Sequence, residues 1–243
     1  MRLADRVDPR PVRVLPVDPS IATLSDEERN IAATIWHGRA ESELRAAGSF
    51  AIISKTLAAS GTPPDLVALA DRAVEDERRH ASVCSRVAAA YALELLPALR
   101  TLPIQVPGHA GASPALRRLL HVVGQCCLNE TTGSAFLEGA RAGATAPLAA
   151  AALHQLLTDE IDHARIGWAF LAMVDEPMRV AVASWVPALI EANLRAWRDR
   201  PRYAITDRLV EHGCPRWEDV DAVVVAAIDD LVKPGFVHLG ITS

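Results

Sequence analysis

The sequence DERRH at residues 76–80 and the sequence DEIDH at residues 159–163 each place a Glu and a His three positions apart. On an α-helix this spacing turns both side chains to one face, about one turn apart. With 14 Glu and 8 His in 243 residues, random placement predicts roughly 0.5 such pairs, so two pairs that both follow an Asp are a signal. A carboxylate and an imidazole on one helix form half of a transition-metal site, and two such helices facing each other form most of a dinuclear site.

Each motif is preceded, across a predicted turn, by one further candidate carboxylate. Glu43 lies 34 residues before Glu77, and Glu130 lies 30 residues before Glu160. Two helices joined by a short turn run antiparallel, so residues equidistant from the turn lie side by side. The midpoints of the two pairs fall at residues 60 and 145, at or inside the Gly- and Pro-containing turns. The chain therefore reads as two copies of one unit, a helix with Glu followed by a helix with Asp-Glu-x-x-His.

Glu41 competes with Glu43 for the position on the first helix, and helical phase favours Glu43. A stripe with core-facing offsets contains Glu43 together with apolar or small residues: Ile35, Ala47, Phe50 and Leu57. Glu41 instead shares its stripe with His37 and Arg45, which predicts a solvated face.

The remaining patterns predict an all-α chain in three parts. Residues 1–24 read as an extended arm, residues 25–175 as a four-helix bundle, and residues 176–243 as two additional C-terminal helices packed on it in one domain. The predicted bundle helices run from the capping box at 25–28 to about 60, from 63–64 to about 96–97, from 113–114 onward, and from 147 to about 175. The Pro- and Gly-rich stretch before Ser113 has no helical pattern and is long enough to be the one long crossover.

The C-terminal part carries two amphipathic patterns and a tail. A helix is predicted from Met178 to Arg198, with a kink at Pro187, and another from Trp217 to Leu231. Residues 233–240 are predicted to form a turn with an apolar end. These helices either cap a substrate cavity or form a homodimer interface, and the sequence leaves both open.

With these motifs and this connectivity, residues 25–175 resemble the ferritin-like di-iron carboxylate superfamily. That group includes ferritins, rubrerythrins, ribonucleotide reductase small subunits, acyl-carrier-protein desaturases and bacterial monooxygenases. The resemblance implies a ferritin-like four-helix bundle and six metal ligands: Glu43, Glu77, His80, Glu130, Glu160 and His163. It also implies that Asp76 and Asp159 hydrogen-bond the ligand imidazoles, since a ligating His normally donates its other N–H to a carboxylate. The residues expected to border a substrate cavity are Ala47, Thr131, Ser134, Cys84 and Cys126.

Composition narrows the class of protein. Half of the residues are hydrophobic and 5% are aromatic, which is typical of one Ala-rich helical domain. The net charge of −5 and the absence of a basic cluster argue against a nucleic-acid partner. No apolar run reaches the 18 or so residues of a membrane helix, and the N-terminus lacks the apolar core of a signal peptide. The four cysteines form no Cys-x-x-Cys pair, so a reducing cytoplasm is the expected location.

The expected function is that of a non-haem di-iron oxidase or oxygenase that uses O2 to oxidise a small organic substrate in a specialised biosynthetic pathway. Its cofactors would be two Fe ions, although a mixed manganese–iron centre uses the same ligand set. It would also need an external electron donor, such as a reductase or a ferredoxin. One alternative is iron handling or peroxide reduction of the bacterioferritin or rubrerythrin type. The other is a metal-free ferritin-like scaffold, which is disfavoured because four buried carboxylates without cations repel one another.

Overall fold

The computed structural model describes residues 14–100 and 103–242, and within these ranges every regular element is helical, with no β-strand. The all-α class predicted from the sequence is therefore confirmed. Most of the predicted N-terminal arm lies outside the described residues. Its described end is extended up to Asp18 and then forms one 3₁₀ turn, Pro19–Thr23.

Two long helices open the described structure. α1 (Asp26–Ala59) begins at the predicted capping box, in which Ser25 and Glu28 satisfy each other's backbone N–H groups. It ends at a turn in which Gly61 adopts a φ of +67°, a conformation that glycine tolerates best. α2 (Pro64–Tyr91) then returns along α1 and packs closely against it.

The crossover begins earlier than the sequence predicts. α2 ends at Tyr91, five residues before the predicted end near Leu96. Arg29 of α1 explains this end, because its guanidinium donates to the carbonyl oxygens of Tyr91, at 3.1 Å, and Ala92, at 3.4 Å. These bonds satisfy carbonyls that would otherwise need a further helical turn. The described residues between Ala92 and Ser113 contain no helix.

The third helical segment contains an interruption that the sequence analysis did not predict. It begins at Ser113-Pro114, as predicted, and α3 (Pro114–Val122) continues into a π-helical segment, Val123–Asn129. α4 (Glu130–Gly143) follows without a break. A short turn leads to α5 (Pro147–Met173), which packs against α2, α4 and the π-helical segment.

The buried apolar side chains form two main clusters towards opposite ends of the long helices, and the Glu and His motifs lie between them. We name them the Trp36 cluster and the Phe50 cluster. Along α1 the chain passes from Trp36 to Phe50, and along α5 it passes from Leu153 of the Trp36 cluster to Ile166 of the Phe50 cluster. Along α2 and along the α3–α4 segment the chain runs the other way, from the Phe50 cluster to the Trp36 cluster. α1 and α5 therefore run one way, and α2 and the α3–α4 segment run the other way.

The C-terminal part is divided into more and shorter helices than the sequence predicts. Instead of two helices it has α6 (Glu176–Ala183), α7 (Val186–Arg198), α8 (Asp207–Glu211), α9 (Trp217–Ala227), a π-helical segment (Ile228–Val232) and α10 (Lys233–His238). The first predicted helix breaks at Ser184 and Trp185, so Pro187 lies in the first turn of α7 and causes no kink there. The predicted turn at 233–240 is mostly α10, because Pro234 also lies in a first turn, where a missing N–H is tolerated.

These C-terminal helices cover the third segment. α6 packs on α3, α7 packs on the π-helical segment after α3, and α9 packs on α4. Across both described ranges, no helix combines the length and apolar character that crossing a bilayer requires.

Candidate metal centre

The six side chains singled out by sequence lie together between the two apolar clusters. Two groups of four have ligand-capable atoms within 4.8 Å of one another: Glu43, Glu77, His80 and Glu160, and Glu77, Glu130, Glu160 and His163. Glu77 and Glu160 belong to both groups. The structure therefore places two adjacent four-residue clusters around one pair of shared carboxylates.

These side chains are almost completely removed from solvent. Glu77, His80 and His163 are each 1% exposed, whereas Glu160 is 4% and Glu130 is 5% exposed. Glu43 is half-buried, which makes it the most accessible of the six. An isolated buried carboxylate is costly, so a cluster of four requires compensating positive charge.

The two imidazoles turn the same ring atom towards the carboxylates. Nδ1 of His80 lies 3.3 Å from a Glu160 oxygen and 3.6 Å from a Glu77 oxygen. Nδ1 of His163 lies 3.1 Å from a Glu77 oxygen and 3.4 Å from a Glu160 oxygen. Both Nδ1 atoms, and Oε2 of Glu77, have no hydrogen-bond partner in the described structure. Buried atoms without partners that converge on four carboxylates fit a site for cations.

The opposite ring atoms face Asp76 and Asp159, but the pairing is crossed between helices. Nε2 of His80 on α2 lies 3.2 Å from Oδ2 of Asp159 on α5, and Nε2 of His163 on α5 lies 3.5 Å from Oδ2 of Asp76 on α2. Each Asp therefore contacts the His of the other motif. The His80 contact is a hydrogen bond, which holds that ring with Nδ1 directed towards the carboxylates, whereas Nε2 of His163 makes no hydrogen bond within the described residues.

Arg79, which the sequence analysis assigned no role, contacts both Asp residues and so links the two motifs. Its guanidinium donates to Asp76 at 2.7 Å and also to Asp159. Burial opposes ionisation of both Asp residues. The His contacts and Arg79 more than offset this effect and lower both pKa values, that of Asp76 to about 2. Position 79 lies inside the first motif, but the sequence gives no means of telling that its side chain reaches across to α5.

Electrostatics separate the shared carboxylates from the outer ones. Burial and neighbouring carboxylates raise the pKa of Glu43 and of Glu130 well above the usual range. Burial also opposes ionisation of Glu77 and Glu160. For these two residues, contacts with the imidazoles prevail and lower the pKa.

Glu41 lies outside the clusters, as helical phase predicts, but the prediction that its side chain is exposed to solvent is wrong. The Glu41 side chain is buried and accepts hydrogen bonds from the backbone N–H of Arg100, at 3.1 Å, and from its Nε, at 3.0 Å. The crossover therefore covers this side of α1. The helical pattern of α1 could not show that a distant segment without helical periodicity folds over Glu41.

Gln125 is a further polar contact of the site that the sequence analysis missed. Its Nε2 donates to Oε1 of Glu130 at 2.6 Å, and its backbone carbonyl accepts the N–H of Glu130. A π turn pairs residues five apart, whereas an α-helix pairs residues four apart. The π-helical segment therefore places Gln125 next to Glu130, a relation that an α-helical reading does not give.

The residues predicted to border a cavity are buried or half-buried around the clusters. Ala47 and Thr131 are buried, and the hydroxyl oxygens of Thr131 and Ser134 have no hydrogen-bond partner in the described structure. Burial raises the pKa of Cys84 and Cys126, and the charges of Glu43 and Glu130, respectively, raise it further. Both thiols are therefore neutral residues beside the carboxylates.

Comparisons of this chain with protein-family models, with curated proteins and with solved structures give no match. A chemical role for the site therefore has to be inferred from its donor atoms, its burial and its unpartnered groups.

Proposed function

We propose that the chain is a ferritin-like di-iron protein that activates O2 to oxidise a small organic substrate. The observation that carries this proposal is the pair of four-residue clusters that share Glu77 and Glu160. One metal ion would be held by Glu43, Glu77, His80 and Glu160, and the other by Glu77, Glu130, Glu160 and His163. The two shared carboxylates would contact both ions.

The helix directions support the ferritin-like part of the proposal. Two pairs of antiparallel helices, α1 with α2 and the α3–α4 segment with α5, are joined by a crossover between helices that run in the same direction. This is the connectivity of the ferritin-like bundle, in which the ligands project inward from all four helices. The C-terminal helices would then be an addition that covers the third segment.

The donor set supports iron, because four carboxylates and two imidazoles stabilise both common oxidation states of this metal and leave coordination positions open. Bound iron would supply the activation of O2, and the protein would supply position and a dry environment. Asp76 and Asp159 would fix the tautomers of the two imidazoles. Arg79 would hold both Asp side chains, and Gln125 would orient Glu130.

A metal-free scaffold is less compatible with the same features. The shared carboxylate Glu77 and both imidazoles keep unpartnered buried atoms in the described structure. A purely structural polar network would be expected to satisfy these atoms, since each unsatisfied buried group costs free energy. Cations at the cluster would satisfy them.

The test is metal content after anaerobic loading with Fe(II), followed by O2 uptake in the presence of a reductant. We expect about two irons per chain for the natural sequence. The variants Glu77→Gln and His163→Ala should lose dinuclear loading, whereas Glu75→Gln, an exposed carboxylate on the same helix, should retain it. Full iron loading of both cluster variants would exclude the ligand assignment. Loaded protein that does not consume O2 with any reductant would exclude O2 activation.

A further inference from the structure

Arg39 is a buried cation that the metal centre does not use. Its side chain is 8% exposed and lies one turn before Glu43 on α1, on the same face of the helix. Nη2 donates to the carbonyl oxygen of Gly213 at 2.7 Å. Nε and Nη1 are buried and have no hydrogen-bond partner, and Arg39 forms no ion pair within the described parts of the chain.

Aromatic rings surround this guanidinium, and a second one lies nearby. The Arg39 guanidinium carbon is 4.4 Å from the Trp36 ring centroid and 5.2 Å from that of Phe136 on α4. The guanidinium of Arg200, an exposed residue, is 3.6 Å from the Trp197 centroid and 5.9 Å from that of Phe136. Phe136 therefore lies next to two cations, one buried and one at the surface.

One candidate counter-charge for Arg39 belongs to the clusters. Burial lowers the pKa of Arg39, and among the groups that oppose this effect Glu43 is a carboxylate. In the proposed function, Glu43 binds a metal ion, so its charge is engaged there. The unpartnered N–H donors of Arg39 then need another acceptor, because leaving buried donors of a cation unsatisfied is costly.

The same region carries further unpartnered polar groups on α4. Thr131 and Ser134, one and four positions after Glu130 on α4, have buried hydroxyl oxygens that find no partner among the described residues. Phe136, which contacts Arg39, lies on the same helix as these two hydroxyls.

We propose that Arg39 binds the carboxylate of a small organic acid, so that the substrate of the metal centre is anionic, with an apolar part held among Trp36 and Phe136. The bound acid is a substrate only if the metal centre has the proposed function, so this part of the proposal rests on that function. The anion site itself does not require bound metal. Arg200, an exposed residue, supplies a second positive charge beside Phe136. It therefore attracts the anion at the surface, before the anion reaches Arg39.

The experiment is calorimetric titration of the full chain, both as purified and after Fe(II) loading, with metal content measured on the same samples. The probes are benzoate and hexanoate, their neutral isosteres benzamide and hexanamide, and inorganic phosphate. We expect the carboxylates to bind with a Kd below about 10 mM and the amides to bind at least about tenfold more weakly. Quenching of tryptophan fluorescence by benzoate should follow the same curve, since Trp36 lies against Arg39.

Variants assign the binding to Arg39. Arg39→Gln should weaken carboxylate binding by about tenfold to a hundredfold, and Arg39→Lys should weaken it less. Lys55→Gln, which removes an exposed positive charge further along α1, is the control and should change nothing. If Arg39→Gln does not fold, two other measurements replace it. Carboxylates are compared with amides on the natural chain, and the same comparison is made on Arg200→Gln.

The results separate this proposal from the proposed function. Equal binding of acids and amides, binding of phosphate alone, or no carboxylate binding below about 10 mM would overturn the anion site, even in a chain that holds two irons. Carboxylate binding that depends on Arg39 would support the anion site, even in a chain that takes up no metal.

Discussion

Glu41 and Glu43 are two positions apart on α1 and lie in different environments. Glu43 contributes to a cluster with Glu77, His80 and Glu160, whereas Glu41 pairs with Arg100 of the crossover. The period of the helix separates the two side chains by more than half a turn. Helical phase was therefore sufficient to choose between them.

We expect Glu43→Gln to reduce iron loading to about one ion per chain, because one cluster loses a charged ligand and the other keeps all four. Glu41→Gln should load as the natural sequence does. Metal analysis after anaerobic loading and gel filtration measures both variants. If Glu41→Gln loses metal while Glu43→Gln retains it, the assignment on α1 is wrong.

The contacts of Asp76 and Asp159 could be predicted only in part. The resemblance implied that these residues would meet the imidazoles, and both do lie beside an imidazole nitrogen. That each Asp meets the His of the other helix depends on how α2 and α5 pack. The bridging contact of Arg79 has the same origin.

At the scale of elements, the π-helical segment before Glu130 is the main departure from an ideal four-helix pattern. It packs against α5 at a point where α5 has a glycine. A Cβ atom added at Gly167 would lie 2.6 Å from Cβ of Cys126 and 2.8 Å from Sγ of Cys127. The close approach of α5 to this segment therefore requires the absence of a side chain at position 167.

Gly167→Ala should destabilise the chain by about 1–3 kcal/mol, because the added methyl group overpacks the contact between α5 and the π-helical segment. It should also weaken metal binding by the cluster that contains Glu130, since displacement of this segment moves Gln125. Gly38→Ala is the control, because that position on α1 is exposed and its added Cβ meets no atom of the described residues within 4 Å. It should stabilise the helix by about 0.5–1 kcal/mol. Urea unfolding measures both, and equal stability of the two variants would contradict the packing argument.

At the scale of the whole molecule, the clusters interrupt the apolar core across its full width. Polar and charged groups occupy the level between the Trp36 cluster and the Phe50 cluster on all four long helical segments. Without cations, the core contains carboxylates that raise one another's pKa. Folding and metal binding should therefore be coupled.

Addition of Mn(II), which is not oxidised readily under these conditions, should raise the melting temperature of the chelator-treated protein. A ligand at about a hundredfold its Kd stabilises the native state by about 2.7 kcal/mol, which corresponds to a rise of about 5–10 °C for a chain of this length. Differential scanning calorimetry measures the shift. Glu77→Gln should remove most of it. A chelator-treated protein that melts at the same temperature with and without Mn(II) would argue against a metal site in the core.

The sequence by itself determined the all-α class, the starts of the four long helical segments and the six residues that the structure brings together. These features follow from local rules, since a capping residue or a Pro in the first turn sets each helix start, and the helical period sets which side chains share a face. The tertiary structure alone decided which carboxylates the two clusters share, the crossed Asp–His contacts and the burial of Glu41. It also decided the π-helical segment, the division of the C-terminal part and the burial of the Arg39 guanidinium. These features depend on contacts between segments distant in the chain, and no local period encodes such contacts.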